Sequence, residues 1–369
     1  MEFNIAVLPG DGIGPEIIDE ALKVLNAVCK KYNRTFNYVY GPVGGVAIEQ
    51  EGVALSGDTL NMCKRCDAVL LGAVGDPRYD DPQAPVHPED GLLDLRKRLG
   101  LFANLRPVKV YPSLIDHTNF KPEILKGVDF IFVRELTGGL YFGRPKRRWM
   151  TSRGRRAVDS MSYSEHEIER IVRVGFEIAS TRQKKLISVD KANVLQSSRL
   201  WRQVTMEVSK DYPDVELEHM LVDACAMRII QNPRYLDTLV TENTFGDILT
   251  DEASMLGGSL GMLASASLAG VPKEGNCTFG MYEPSHGSAP RRANQDMANP
   301  IATIVSMAMM LSYSLGLADE ARAVEKAIER VLEEGYRTYD IMGEGKTKVG
   351  TAKMGDLIAE GFRIERCNR

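Results

Sequence analysis

The chain has 369 residues, 44% of them hydrophobic and 26% charged, which fits a globular protein too long for one ordinary core, so two domains are expected. A formal net charge of −4 offers no global attraction for nucleic acid or an anionic membrane. Cys29, Cys63, Cys66, Cys225, Cys277 and Cys367 are too scattered for a disulfide scaffold and point to a reducing, cytoplasmic compartment.

In chain order, "FNIAVLPG" reads as a strand and "PEIIDEALKVLNAVCKKY" as an amphipathic helix with Pro15 at its start. No charged leader or long apolar stretch precedes them, so no signal peptide is expected. The intervening "LPGDGIGPE" alternates Gly10, Gly12 and Gly14. Pro15 then stands where a dinucleotide-binding G-x-G-x-x-G loop needs a free backbone N–H, so this is not a Rossmann fingerprint. Cys63 and Cys66 fall in a helix-like run without a second pair at ligand spacing, which argues against a metal or redox role.

"DAVLLGAVG", "VDFIFVRE", "KLISVDKANV" and "VELEHMLVDA" are strand candidates, and "LDTLVTENTFGD" reads as a strand running into a helix. From Pro300 to about Gly335 the chain is mostly helical, and "PIATIVSMAMMLSYSLGL", with four Ser/Thr, reads as a core helix rather than a membrane span. The alternation is that of an α/β protein. Seven basic residues between Arg144 and Arg156 surround Trp149; an exposed hairpin arm or subunit contact is favoured over a nucleic-acid surface.

Three groups of residues carry chemistry. Arg96, Arg106 and Arg134 sit at the ends of expected elements, and converging guanidiniums would grip a substrate with two carboxylates. Asp223 closes an expected strand, while Asp247 and Asp251, four apart on an expected helix, share one face. Together they would offer oxygen ligands to Mg²⁺ or Mn²⁺. Tyr141, read as a strand residue, and Lys191, at a strand end, are proton-transfer candidates.

"LPGDGIGPE", "ANLRPV", "RELTGGLYFG", "DKANVL", "TENTFGDILTDEASML", "YEPSHGSAP", "ANP" and "GKTKVGTAKMGD" occur in order over nearly the whole chain. This chain closely resembles the isocitrate/isopropylmalate dehydrogenase family of β-decarboxylating dehydrogenases, its isopropylmalate branch in particular. The resemblance implies a two-domain α/β fold that is not a Rossmann fold, with the active site in the cleft between domains. Residues 1–101 plus 258–369 would form the first domain, with the nucleotide loop. Residues 102–257 would form the second, with the dimer interface and the arm.

It further implies that Arg96, Arg106 and Arg134 bind the malate carboxylates, and that Asp247, Asp251 and a second subunit's Asp223 hold the divalent metal. Lys191, also from the second subunit, would accept the C2 hydroxyl proton, and Tyr141 would protonate C3 after CO₂ leaves. Where isocitrate enzymes carry a serine and an asparagine, this chain has Gly91, Leu92 and Leu93. Leu92 suits an isopropyl group and would leave a third carboxylate unpaired, at a cost of about 2 kcal/mol. The substrate implied is 3-isopropylmalate, with homoisocitrate, tartrate and other alkylmalate enzymes as relatives, and the process is leucine biosynthesis.

Glu89 would face the nicotinamide side. His286, Gly287, Ser288, Ala289, Pro290 and Asn299 would form the adenosine pocket, with Arg291, Arg292 and Tyr339 near the ribose 2′ position. Most isopropylmalate enzymes place an aspartate where Arg291 stands, which favours NAD. The arginine pair and Tyr339 suit the 2′-phosphate of NADP, so both cofactors stay open. A non-catalytic subunit would be expected to lack part of this set, and this chain keeps all of it.

Overall fold

A computed structural model describes residues 2–81, 84–273 and 277–362; Cys367 lies outside the described residues. The first elements are β1 (Glu2–Gly10), α1 (Gly14–Tyr32), β2 (Thr35–Tyr40), α2 (Gly45–Glu51), α3 (Gly57–Arg65), β3 (Ala68–Ala73), α4 (Pro88–Arg98) and β4 (Ala103–Lys109). Next come α5 (Pro122–Leu125), β5 (Asp129–Glu135), β6 (Lys146–Thr151), β7 (Gly154–Asp159), α6 (Glu165–Ser180), β8 (Lys185–Asp190) and α7 (Gln196–Val208). They are followed by β9 (Glu216–Leu221), α8 (Val222–Gln231), β10 (Thr238–Thr241), α9 (Asn243–Ser254), β11 (Ala264–Leu268) and β12 (Gly280–Pro284). Last are α10 (Ile301–Tyr313), α11 (Ala318–Glu333) and α12 (Thr351–Glu360).

Ten strands form one sheet in the order β2-β1-β3-β12-β11-β4-β5-β10-β8-β9. The flanks pair in parallel, whereas β11 runs antiparallel to both β12 and β4, and β4 antiparallel to β5. Side chains alternate across a strand, so each strand contributes to both sheet faces. On one face Ile5, Val7, Leu70, Tyr282, Ala266, Leu105, Val133 and Val240 join a single apolar core covered by α1, α6, α7, α10, α11 and α12. The other face has two separate apolar cores. One contains Leu8, Val69, Leu71 and Met281, and the other contains Phe130, Phe132, Ile187 and Leu239.

Between those two cores the alternation delivers Glu283, Ser265, Ser267, Asn104, Arg106 and Arg134, all buried and all polar. Asn104 shows how such a row is tolerated. Its Nδ2 donates to Ser265 Oγ (2.7 Å), Ala266 O (3.2 Å) and Ser267 Oγ (3.3 Å), and its Oδ1 accepts from Arg106 Nε (2.9 Å). A buried amide left unpaired would cost about 1–3 kcal/mol. Glu283, Ser265, Arg106 and Arg134 of this row line one cavity.

Two expectations are revised, and the others below agree with the structure. Asp223 lies in the first turn of α8 rather than at a strand end, because the backbone turns helical at Val222. Tyr141 ends a 3-10 turn, Gly139–Tyr141, since Gly139 adopts φ +75° and breaks the extended run after β5. The basic stretch forms the two-stranded hairpin β6–β7, exposed along nearly its whole length, with Arg147 stacked 5.1 Å from the Trp149 ring. The apolar α10 is buried in the large core, and no helix among the described residues is long and apolar enough to cross a membrane. Cys63 is buried and its thiol pushed up to about 12, chiefly by desolvation; the Cys66 thiol is raised for the same reason.

Candidate active site

Arg96 leaves the last turn of α4, Arg106 the middle of β4 and Arg134 the end of β5, and all three line one cavity of about 330 Å³. Each guanidinium is held on one side and open on the other. Arg106 donates to Asn104 Oδ1 and to Thr250 Oγ1 (2.7 Å). Arg134 is clamped by the Asn243 carbonyl (2.9 Å) and side-chain oxygen (2.8 Å). Arg96 donates to Glu283 Oε1 at 2.8 Å, while its buried Nε has no partner.

Burial, then the neighbouring Arg134 and Arg96, lowers the Arg106 pKa to about 10, and burial lowers that of Arg134. The three guanidiniums repel one another, and an anion placed between them would relieve that repulsion. Leu92, Leu93 and Leu136 give the same cavity an apolar wall, and Glu89 lines it as well.

Asp247, one turn into α9, joins acid and base. Its Oδ1 accepts from Arg134 Nη1 (2.5 Å) and its Oδ2 from the Tyr141 hydroxyl (2.9 Å). Burial and the Asp247 carboxylate raise the Tyr141 pKa, so the phenol stays a proton donor. Asp251, a turn later and largely exposed, lies 3.4 Å from Arg106 Nη1. Lys191 and Asp223 do not line this cavity. They pair with each other at 2.8 Å, and Lys191 holds the Asp223 carboxyl below the usual range. No group of three or more His, Cys, Asp or Glu side chains in this chain could hold a metal, among the described residues. Asp247 and Asp251 are hard oxygen donors of the kind a divalent cation takes.

A second cavity, about 460 Å³, shares His286 and Gly287 with the first and is also lined by Ile13, Gly261, Arg292, Asn299, Tyr339 and Asp340. Burial keeps the His286 pKa below the usual range. The Arg292 guanidinium lies 4.5 Å from the Tyr339 ring centroid. Arg291 does not line this cavity, although its carbonyl accepts from Gln295 Nε2 at 2.7 Å. Ser288 faces inward and acts as a fastener, donating its hydroxyl to Gly75 O (2.6 Å) and accepting from Ile13 N (2.8 Å). Ala289 adopts a left-handed conformation that starts the 3-10 turn Pro290–Arg292.

The glycine loop acquires its reason here. A Cβ on Gly12, at φ +57°, would fall 2.1 Å from Ser288 O, so the glycine lets the two loops touch. Asp11 anchors the same junction by accepting from the N–H groups of Gly45 (2.8 Å), Val46 (2.9 Å) and Gly75 (2.9 Å). Asn243, Glu283 and Asp340 join these sites without a chemical signature of their own in the sequence; the signal for Asn243 and Glu283 is that they lie within "TENTFGD" and "YEPSHG". Asp340 follows Tyr339, and its carboxylate accepts from Asn299 Nδ2 (3.0 Å) and Ser259 Oγ (2.5 Å).

An α/β protein with clustered guanidiniums, an acid pair and a phenol beside a second, nucleotide-sized cavity is of the class that performs acid–base chemistry on small polyanions. The model of the family described as isocitrate/isopropylmalate dehydrogenase matches residues 4–358, and the chain belongs to that family. A 3-isopropylmalate dehydrogenase of Dehalococcoides mccartyi (strain CBDB1) is 67% identical over 361 residues, 98% of this chain and 99% of that one. One from Carboxydothermus hydrogenoformans is 56% identical, covering 97% and 94%. The crystal structure of isocitrate dehydrogenase from Methylococcus capsulatus aligns with TM-score 0.84 at 33% identity, covering 98% of this chain and 100% of that one.

Proposed function

We propose that the chain oxidatively decarboxylates 3-isopropylmalate to 4-methyl-2-oxopentanoate and CO₂ with reduction of NAD(P), in leucine biosynthesis, as a cytoplasmic homodimer. The convergence of Arg96, Arg106 and Arg134 on one cavity beside Leu92 carries this reading. It agrees with the names of the relatives above. The guanidiniums hold two carboxylates through parallel hydrogen bonds. Leu92 packs against the isopropyl group and offers a third carboxylate no hydrogen bond.

Asp247 and Asp251, with Asp223 of a second copy, would hold Mg²⁺ or Mn²⁺. When bound, the cation supplies Lewis acidity and the nicotinamide accepts hydride. Lys191 of the second copy, as the neutral amine once its proton has passed to solvent, would take the C2 hydroxyl proton as hydride leaves C2. The C3–carboxylate bond then breaks, its electrons stay on the substrate, and Tyr141 delivers a proton to C3.

The dimer is supported by an apolar face on the helices that carry the acids. Met227 and Ile230 of α8 and Ile248 of α9, 63% exposed, stand beside Met255 at its end. We read residues 1–101 plus 258–369 as one lobe and 102–257 as the other, with the polar row of the sheet between them. For the cofactor, Arg292 stacked on Tyr339 in the second cavity supports NADP over NAD, Arg292 rather than Arg291 being the nearer cation. Gly287, with open space where a Cβ would be, leaves room for a nucleotide.

Initial rates with Mg²⁺, comparing 3-isopropylmalate with isocitrate, test the activity; turnover of isocitrate alone sinks the substrate reading. Calorimetric titration of NAD and NADP into wild type and Arg292→Asp tests the cofactor. Weaker binding of NADP by the variant, with NAD unaffected, is expected. Equal NADP affinity would place Arg292 outside the contact.

A further inference from the structure

Tyr163, outside every cavity lining described above, ties together the two pieces of chain that carry Tyr141 and Asp247. Its ring lies under the glycine turn that ends at Tyr141. A Cβ on Gly138 would fall 2.5 Å from Tyr163 Cε1, and one on Gly139 would fall 2.4 Å from its hydroxyl. The same strip is stitched by Gly139 N to Ser162 O at 3.1 Å. The hydroxyl meanwhile engages the start of α9, donating to Glu242 Oε2 (3.1 Å) and accepting from Asn243 N (3.0 Å).

Glu242 is the N-cap of that helix, accepting from Thr244 N (3.0 Å) and Phe245 N (2.5 Å), and one turn further Asp247 accepts from Tyr141. Asn243 closes the circuit by donating its Nδ2 to Gly138 O at 3.2 Å. The far edge of the Tyr163 ring is fixed by Trp201, edge-on at 5.7 Å, whose indole N–H donates to Ser188 Oγ at 3.1 Å.

We infer that Tyr163 is a positioning residue that holds the Tyr141 turn in register with α9 and so sets the Tyr141–Asp247 contact. The inference rests on the reading of Tyr141 as the proton donor. It requires both features of Tyr163: the ring that bears the glycine turn and the hydroxyl that pins it to the helix. Glycine is demanded at 138 and 139 because the phenol occupies the space a side chain would need. A small shift of a donor that must reach C3 is costly, since misplacement by about 1 Å is worth up to about a hundredfold in rate.

The test is a double-mutant cycle read in kcat and KM with 3-isopropylmalate, Mg²⁺ and the working nicotinamide cofactor. Tyr163→Phe removes the hydroxyl alone and is expected to lower kcat about tenfold while KM for the substrate stays within about twofold. In a Tyr141→Phe background the same substitution is expected to add no further loss, because its effect runs through Tyr141. Equal losses in both backgrounds, or no loss in either, would overturn the inference.

Should Tyr163→Phe fail to fold, Trp201→Phe decides, since it loosens the support of the Tyr163 ring without adding a clash. It too is expected to cost rate in wild type and nothing more in Tyr141→Phe. If wild type itself does not turn over 3-isopropylmalate, the proposed function fails. If it does and the cycle is additive, only the role of Tyr163 fails.

Discussion

Arg106 is the residue whose environment is most one-sided, buried among two other guanidiniums and held by neutral oxygens of Asn104 and Thr250. Lysine there keeps the charge but loses the planar fork. Arg106→Lys is therefore expected to raise KM for the substrate about 10- to 100-fold with a smaller change in kcat. Steady-state kinetics check this, and a KM within twofold of wild type would refute it.

His219 on β9 makes a different prediction. Both ring nitrogens are buried without a partner, and burial, then Arg202, holds its pKa below the ordinary value. As pH falls below about 6.5 the unfolded chain takes up this proton before the folded one does. The stability contributed by neutral His219 is thus full above that pH and is lost as pH falls toward the folded pKa. His219→Leu should flatten the decline in melting temperature between about pH 6.5 and 5. Parallel melting curves for the two proteins would count against it.

At the scale of elements, α9 carries Asn243, Asp247 and Asp251, so its start governs the site. Its cap is a glutamate, less common than serine or aspartate, and Glu242 accepts two N–H groups and the Tyr163 hydroxyl. Glu242→Ala should cost about 1–2 kcal/mol in urea unfolding. Activity should fall further than stability, because the whole acid-bearing face shifts. Unchanged unfolding and unchanged kcat would show that the cap is dispensable.

The strands show why some elements were legible and others were not. β1, β3, β5 and β8 are apolar runs buried on both faces and announce themselves. β4, β11 and β12 escaped notice because their cleft-side residues are Asn104, Arg106, Ser265, Ser267 and Glu283. A polar face inside a protein resembles a loop until the neighbouring strands are known.

For the whole molecule, the open matter is the second copy. Lys191 and Asp223 pair with each other away from the arginine cavity, while the apolar face of α8 and α9 stands uncovered. Mixing Lys191→Ala with Tyr141→Phe, each retaining only a small residual rate, should restore about one quarter of wild-type activity after subunit exchange, since one site in each mixed dimer is intact. No recovery, with exchange verified by mass, would place Lys191 outside the partner's site. Ile248→Glu should yield monomers without activity on gel filtration.

The sequence by itself determined the α/β class, which residue types could carry charge and protons, and that the glycine loop is not a Rossmann fingerprint. Those depend on residue type, period and order, which one dimension contains. Tertiary structure alone decided that Arg96, Arg106 and Arg134 meet, that Arg292 rather than Arg291 lines the second cavity, and that Ser288 fastens a loop. It alone showed that Tyr163 bridges the Tyr141 turn and α9. These depend on contacts between residues up to hundreds of positions apart, and only the register of the packed sheet fixes which of them face each other.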